Sequence, residues 1–287
     1  MKVERVGLVT CERLADLTED DRLLAAELRR RGIEAMALIW DDDRVAWETF
    51  DRVIVRSCWD YYHHAERFRA WLDRLEACGA RVLNPVPVMR ENMHKGYLRR
   101  LADAGVATVP TVWVSRGSRL ALPQLLADQG WSRAVVKPAV SAGAHKTWIV
   151  DAHEAIDKQP LLDELTDAGD TLVQAFLPAI GTQGEWSLIF FDGVYSHAVL
   201  KTPQAGEFRV QREHGGATQA AMPPLALREQ CARILDRIDA PLLYARVDGI
   251  DLNATFTLME LELIEPELFF LKDPQAAARF VDALLTT

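Results

Sequence analysis

Three short apolar runs, Val6 to Val9, Ala35 to Ile39 and Val53 to Val55, alternate with helical segments around residues 18 to 31 and 64 to 77. Helical crossovers return the chain to the same end of a sheet, so such strands pair in parallel. The chain therefore opens as βαβαβ. Thr18-Glu19-Asp20-Asp21 reads as a capping box opening a helix over Arg22 to Arg31, which Gly32 ends.

Beyond Asn84-Pro85-Val86-Pro87 a helix is expected near 91 to 104, closed by Gly105, with a boundary at Val109-Pro110-Thr111. From 112 the pattern is strand, helix (120 to 129), strand (Ala134 to Val136), loop, strand (Thr147 to Val150), helix (near 159 to 168) and strand (Leu172 to Ala175), a small α+β unit. Glu185 to Phe191 and Val194 to Leu200 then flank Asp192-Gly193, a two-residue hairpin signal that starts an antiparallel sheet. A loop over 202 to 222, a helix over 224 to 238, strands near 243 to 251 and 256 to 264 and a helix over 273 to 285 complete the pattern.

With 287 residues, 49% of them hydrophobic and 26% charged, the chain supports a sizeable core and lacks the signature of disorder. Its net charge of −9 argues against nucleic acid as the main partner, so any anionic ligand needs a local basic pocket. The first apolar run is too short for a signal peptide and no segment reaches the length of a membrane span, which makes a cytoplasmic location the expectation. Cys11, Cys58, Cys78 and Cys231 have no zinc-ligand or redox spacing and read as isolated thiols.

The third run empties into Arg56-Ser57-Cys58-Trp59-Asp60-Tyr61-Tyr62, at the carboxyl end of a parallel strand, where open α/β sheets hold ligands. By position, Arg56 is either a substrate anchor beside Ser57, Trp59 and Asp60, or part of a solvated loop with Trp59 packed as a plug. Val135-Val136-Lys137-Pro138 puts a lysine at a strand end before the small-residue loop Ser141-Ala142-Gly143-Ala144. Small residues let backbone N–H groups approach phosphate oxygens, and the lysine adds charge. Lys95 and Lys201 stand at two further element ends; taken singly, each lysine reads as a solvated surface residue. Neither a P-loop nor a Gly-x-Gly-x-x-Gly fingerprint occurs.

Near the C-terminus Arg246-Val247-Asp248 precedes Met259-Glu260-Leu261-Glu262-Leu263-Ile264-Glu265-Pro266. Period-two geometry puts Glu260 and Glu262 on one face, where they repel unless a hard cation such as magnesium neutralises them, with Asp248 in reach.

In chain order, a lysine before a helix, a lysine with a small-residue loop, a strand turning into a linker, a hairpin, a basic loop and Arg-x-Asp then Glu-x-Glu resemble the ATP-grasp superfamily over nearly the whole chain. The size and three-part layout resemble the short glutathione-synthetase-like and RimK-like ligases. Arg56 to Asp60, Val136-Lys137-Pro138, Gly184-Glu185-Trp186-Ser187 and Glu260 to Pro266 look like the O-ureidoserine cyclo-ligase, or D-cycloserine synthetase, branch.

The resemblance implies an α/β (α+β) ATP-grasp fold. Residues 1–109 would form a parallel-sheet, substrate-binding subdomain, 110–180 a central ATP-binding one, and 181–287 an antiparallel one with the metal ligands. Lys95 and Lys137 would bind nucleotide phosphates under Ser141, Ala142 and Gly143. Gln174, Ala175, Phe176 and Leu177 would hold adenine, with Gln174 where a glutamate is frequent, and Glu185 would take the ribose hydroxyls. Lys201 and Arg246 would contact the reacting phosphate and acyl group. Arg209, Gln211 and His214 fall in a mobile closing loop. Asp248, Glu260 and Glu262 would hold magnesium, with Glu262 replacing a frequent asparagine and suiting two ions.

The implied activity is ATP-dependent carbon–nitrogen ligation through an acyl phosphate, either cyclising an amino-acid derivative for antibiotic biosynthesis or joining two amino-acid substrates. A phosphotransferase and a non-catalytic nucleotide-binding regulator are the rival readings. The implied partners are ATP and a small carboxylate or amine substrate, without nucleic acid or membrane, in an enzyme of a kind that often forms homodimers or tetramers.

Overall fold

The protein, seen here as a computed structural model, is described over residues 2–204, 207, 209–210 and 215–287. Strands β1 (Arg5–Thr10), β2 (Glu34–Ile39), β3 (Arg52–Ser57) and β4 (Val82–Leu83) form a parallel sheet in the order β2-β1-β3-β4, as the alternating apolar runs require. Helix α1 (Glu19–Arg30) packs Leu24, Ala25 and Leu28 with Val6, Leu8 and Ile54. Helix α2 (Ala65–Ala77) packs Phe68, Trp71, Leu72 and Leu75 with Val9, Val53 and Val55. Both sheet faces are thus covered, each buried large side chain contributing about 1.5–3 kcal/mol. The Thr18 cap forms, with Asp21 N–H donating to Thr18 Oγ1 at 3.0 Å, but α1 starts at Glu19 rather than Arg22.

The single helix expected near 91 to 104 is two, α3 (Val86–Asn92) and α4 (Tyr97–Asp103). The interruption has a local cause. Gly96 N–H donates 3.0 Å to the His94 Nδ1 side-chain atom, and Lys95 N–H donates 2.8 Å to Ala139 O in a different sheet region. This break points Lys95 toward the centre of the molecule.

Strand β5 (Thr111–Val114), helix α5 (Leu122–Gln129), strands β6 (Arg133–Pro138) and β7 (Trp148–Asp151), helix α6 (Ala155–Ala168) and strand β8 (Thr171–Ala175) follow. They build an antiparallel sheet in the order β5-β8-β6-β7, with Val136, Val150 and Val173 buried against Leu122, Leu126, Leu162 and Leu165. Helix α6 begins before the expected 159 and carries Pro160 inside it at the loss of one helical hydrogen bond.

After α7 (Ala179–Gln183), the strands β9 (Glu185–Phe191), β10 (Val194–Thr202) and β11 (Ala217–Ala220), helix α8 (Leu225–Leu235), strands β12 (Tyr244–Leu252) and β13 (Thr255–Glu262) and helix α9 (Ala276–Thr286) complete the chain. Helices α8 and α9 are shorter than the expected 224 to 238 and 273 to 285. The sheet order is β11-β10-β9-β12-β13, all antiparallel. Asp192 and Gly193 both have positive φ, 48° and 73°, as a tight primed hairpin turn demands.

One face of this sheet buries Leu188, Phe190, Val247 and Leu261 against α4 and α8. The opposite face is apolar only where Ile189, Phe191 and Tyr244 meet the N-terminal sheet core and α9. Its remaining part carries the charged residues. Among the described residues no helix is long and apolar enough to cross a membrane.

Candidate active site

Register assembles the charged face. Asp248 on β12 pairs with Glu260 on β13 and with Ser187 on β9; Arg246 pairs with Glu262; and Lys201 on β10 pairs with Glu185 on β9. Directly paired residues project to the same face. A bulge between Asp248 and Gly249 leaves Met259 unopposed, while the register over Glu260 to Glu262 is regular and keeps both glutamates on one face.

Every carboxylate here has a basic partner. Lys201 Nζ lies 2.5 Å from Glu185 Oε1 and 3.2 Å from Asp248 Oδ2. Arg246 donates from Nε to Asp248 Oδ1 at 3.0 Å and from Nη2 to Asp248 Oδ2 at 2.9 Å, and Nη2 also bonds Glu262 Oε1. Ser187 Oγ donates to Asp248 Oδ1 at 2.6 Å. Despite burial, these donors hold the Asp248 carboxyl down at about 2, whereas desolvation pushes that of Glu262 up to about 7. Without a metal, the expected repulsion between the same-face carboxylates is thus offset by lysine and arginine.

Lys95 Nζ, reaching in from between α3 and α4, donates to Glu260 Oε1 at 2.7 Å and to Ser141 O at 2.8 Å. Lys137, at the end of β6, carries no such hydrogen bond among the described residues, and burial lowers its ammonium to about 8 against the pull of Glu260 and Glu185. In the loop after it, Ser141 Oγ donates to Pro138 O at 3.2 Å, Ala142 O accepts from His145 N–H at 3.0 Å, and Gly143, Ala144 and Lys146 all have φ between 50° and 57°. Such left-handed residues turn successive N–H groups into a concave surface suited to anions. The His145 ring packs 5.2 Å from Tyr62 and 5.0 Å from His63, so this loop touches the turn that follows β3.

The linker residues lie at the rim. Gln174 Nε2 donates to Thr111 Oγ1 at 2.9 Å and borders a crevice of about 340 Å³ with Leu98, Pro110 and Leu258. Ala175 N–H and Phe176 N–H donate to Pro110 O and Arg133 O, and the Phe176 ring lies under the Arg133 guanidinium; Leu177 O accepts from Ile180 N–H.

The Arg56 to Asp60 turn is tied inward. Arg56, 1% exposed, donates from Nε to Asp21 Oδ1 at 3.0 Å and from Nη2 to Pro266 O at 2.8 Å, while Nη1 is buried without a hydrogen-bond partner among the described residues. Ser57 Oγ donates to Thr10 Oγ1, Asp60 Oδ1 accepts from Trp40 Nε1, and Trp59 Nε1 donates to Glu265 O. Burial pushes the Cys58 thiol well above its usual range, which fits an inert thiol. Cys11 and Cys231 are buried as well, and Cys78 is exposed.

Arg209 pairs with Glu207, Nη2 to Oε2 at 2.7 Å; Gln211 and His214 lie outside the described residues. Sequence reasoning missed two residues of the site. Ser187 stands two residues after Glu185 on the same strand face, a signal period-two counting supplies, and Glu265 stands just past the acidic strand.

A hard cation fits the donor set, which is oxygen-only, half-buried to buried and concentrated on two adjoining strands. Among the described residues no three His, Cys, Asp or Glu side chains already converge as a cage, since Lys95, Lys201 and Arg246 occupy the carboxylate oxygens.

Comparison with known proteins bears on this arrangement. Residues 6–84 match a family described as D-cycloserine synthetase DcsG, N-terminal domain. The chain is 30% identical over 273 residues to the cycloserine biosynthesis protein DcsG of Streptomyces lavendulae, covering 89% of each. It superposes on the crystal structure of D-cycloserine synthetase DcsG with a TM-score of 0.89 and 29% identity, over 98% of this chain and 99% of that one. The ATP-grasp ligase PsnB, complexed with minimal precursor, Mg and ADP, shares the fold with a TM-score of 0.65 at 17% identity, over 100% of this chain and 98% of that one.

Proposed function

The chain belongs to the family of the cycloserine biosynthesis protein DcsG, and from that membership we propose that it cyclises an amino-acid derivative of the O-ureidoserine type. It is an ATP-dependent ligase that forms a carbon–nitrogen bond, and ligases of its fold generally use magnesium. The observation that carries the reading is the balanced charged face. Lys95, Lys137, Lys201 and Arg246 lie among Glu185, Asp248, Glu260 and Glu262, beside the turn that ends β3.

In this reading residues 1–109 bind the acyl substrate, while 110–180 and 181–287 enclose the nucleotide. Lys95 and Lys137 bind phosphate oxygens under Ser141, Ala142 and Gly143; Gln174 to Leu177 border adenine; and Glu185 takes the ribose. Asp248, Glu260 and Glu262 would hold magnesium, the third carboxylate suiting two ions, and the bound metal would neutralise charge on the phosphates.

A substrate carboxylate oxygen takes the γ-phosphoryl group and ADP leaves. A nitrogen of the same molecule then attacks the acyl carbon, loses a proton, and phosphate departs. Lys201 and Arg246 contribute fixed positive charge where charge develops on the transferring group, which is where catalysis of phosphoryl transfer chiefly lies. Arg209 and Gln211, in the 202 to 222 loop, shield the acyl phosphate from water. Arg56, Ser57, Trp59 and Asp60 shape the floor of the acyl pocket.

The test is ADP and phosphate release with ATP, magnesium, O-ureidoserine and a panel of amino acids, with Asp248→Ala as the blank and mass spectra of the products. Loss of water from a single substrate supports ring closure. Joining of two substrates replaces it with an intermolecular ligase, a phosphorylated substrate with a phosphotransferase, and ATP binding without turnover with a regulator.

A further inference from the structure

The segment following β13 is held with unusual completeness. Six consecutive carbonyls, Leu263 to Leu268, each accept a hydrogen bond from a side chain: in order Asn84 Nδ2, Tyr244 Oη, Trp59 Nε1, Arg56 Nη2, Arg246 Nη1 and His197 Nε2, at distances of 2.8 to 3.1 Å. The donors come from β3 and its turn, the residue after β4, β10 and β12, so the segment is clamped from several sides at once. Such a strap fixes whatever side chain it carries.

Glu265 sits in the middle of it. Its side chain is buried, 9% exposed, yet among the described residues nothing but its own peptide N–H donates to the carboxylate. The strap holds it between the β3 turn and the charged face: Glu265 O accepts from Trp59 Nε1 at 3.0 Å, and, two residues on, Glu267 O accepts from Arg246 Nη1 at 3.1 Å. The nearby cations are already engaged, Lys95 by Glu260 and Ser141 O, Arg246 by Asp248, Glu262 and Glu267 O. Burial, with the neighbouring charge of Glu262, pushes the carboxyl up to about 8. A buried carboxylate normally has a bonded counter-charge, and among the described residues no basic side chain hydrogen-bonds this one.

We propose that Glu265 receives the ammonium group of the substrate. The proposal rests on the cyclo-ligase reading for its substrate class, an amino acid with a free amine, and assigns a subsite to the group that the reaction leaves untouched. The carboxylate end of the same molecule then faces Lys201 and Arg246, so one bound ammonium orients the reacting carboxylate toward the phosphates. N-acylated and des-amino acids are poor substrates on this account.

The experiment is a two-by-two comparison. Wild type and Glu265→Gln are each titrated calorimetrically with O-ureidoserine, both enantiomers, and with its des-amino counterpart, 3-(ureidooxy)propanoate. Wild type is expected to prefer the ammonium compound by about 100-fold, a preference that Glu265→Gln abolishes while its ATP affinity stays within about twofold. Should Glu265→Gln fail to fold, Glu265→Asp, which retains the charge, is expected to keep part of the preference. Equal preference in wild type and Glu265→Gln, or no preference in wild type, overturns the assignment. ADP release by wild type on the same compound tests the ligase reading separately: absent turnover with an intact, Glu265-dependent ammonium preference sinks that reading and leaves the subsite standing.

Discussion

Lys95 Nζ lies 2.7 Å from Glu260 Oε1, joining residues 165 positions apart and linking the break between two short helices to the last strand of the C-terminal sheet. The same ammonium holds Ser141 O at 2.8 Å, so a single side chain ties the acidic strand to the small-residue loop. Lys95→Met is expected to raise the KM for ATP at least tenfold and to lower kcat/KM for ATP by about 100-fold, the scale for losing one positioned charge at a phosphoryl-transfer site. Steady-state kinetics with ATP varied provide the check. An unchanged KM for ATP removes Lys95 from the nucleotide site.

Gly249 lies beside Asp248 on the strand facing the bulged residue, Met259. A Cβ at this position would stand 2.4 Å from Thr257 O and 2.6 Å from the Phe256 ring, and the backbone oxygen cannot swing away as a flexible side chain does. Gly249→Ala is expected to destabilise the fold by about 2–3 kcal/mol and to reduce activity at temperatures where the variant remains folded. Urea melts with paired activity assays distinguish the two losses. A variant as stable and active as wild type would show that the strand pair gives way at no cost.

Where function rests on local pattern, it could be read from the sequence. The parallel sheet followed from apolar runs spaced by helices, the hairpin from Asp192-Gly193, and the shared face of Glu260 and Glu262 from strand periodicity, and the structure has each of these. Contacts between distant residues were not legible in the same way. At a strand end Arg56 reads either as a substrate anchor or as part of a solvated loop, with no sign in the sequence of what the fold adds, its burial against Asp21 and its hydrogen bond to Pro266 O. Nothing in the neighbourhood of residues 91 to 104 signals that His94 turns its ring back on Gly96 N–H and splits the helix. The clamp on Leu263 to Leu268 depends on six side chains scattered from Arg56 to Arg246, a relation that only the tertiary fold creates. Glu265 lay within a quoted motif without a role, because sequence cannot say which carboxylate in an acidic stretch lacks a partner.

Stability should respond to pH through Asp20. One oxygen accepts from Leu271 N–H at 2.9 Å, the other is buried with no hydrogen-bond partner among the described residues, and desolvation raises the carboxyl from its usual 3.8 to about 7. The native state therefore binds this proton more tightly than the unfolded chain does. Between about pH 4 and 7 its contribution to stability declines as pH rises, and above 7 the penalty is complete. Asp20→Asn keeps the acceptor for Leu271 N–H and removes the charge. It is expected to stabilise the protein by about 1–2 kcal/mol at pH 8 and by progressively less toward pH 4.5. Thermal melts of both proteins at these two pH values decide the matter; parallel shifts at both would mean that Asp20 does not titrate in this window.

In the proposed magnesium site Glu262 would supply the extra negative charge, and it shares Arg246 with Asp248. If the third carboxylate serves a second ion, replacing it with the neutral Glu262→Asn keeps one oxygen donor and weakens only that ion. The half-saturating magnesium concentration is then expected to rise about tenfold or more, and the steepness of the magnesium activation curve to fall, while turnover at saturating magnesium is largely kept. Asp248→Asn is expected to behave differently, because Asp248 also anchors Arg246, Lys201 and Ser187 Oγ. Its loss leaves those donors misplaced, and added magnesium should not restore turnover. The measurement is the rate of ADP release against magnesium concentration after removal of metal with EDTA. Identical magnesium curves for wild type and Glu262→Asn would exclude the second ion from Glu262 and leave its carboxylate as a support for Arg246 alone.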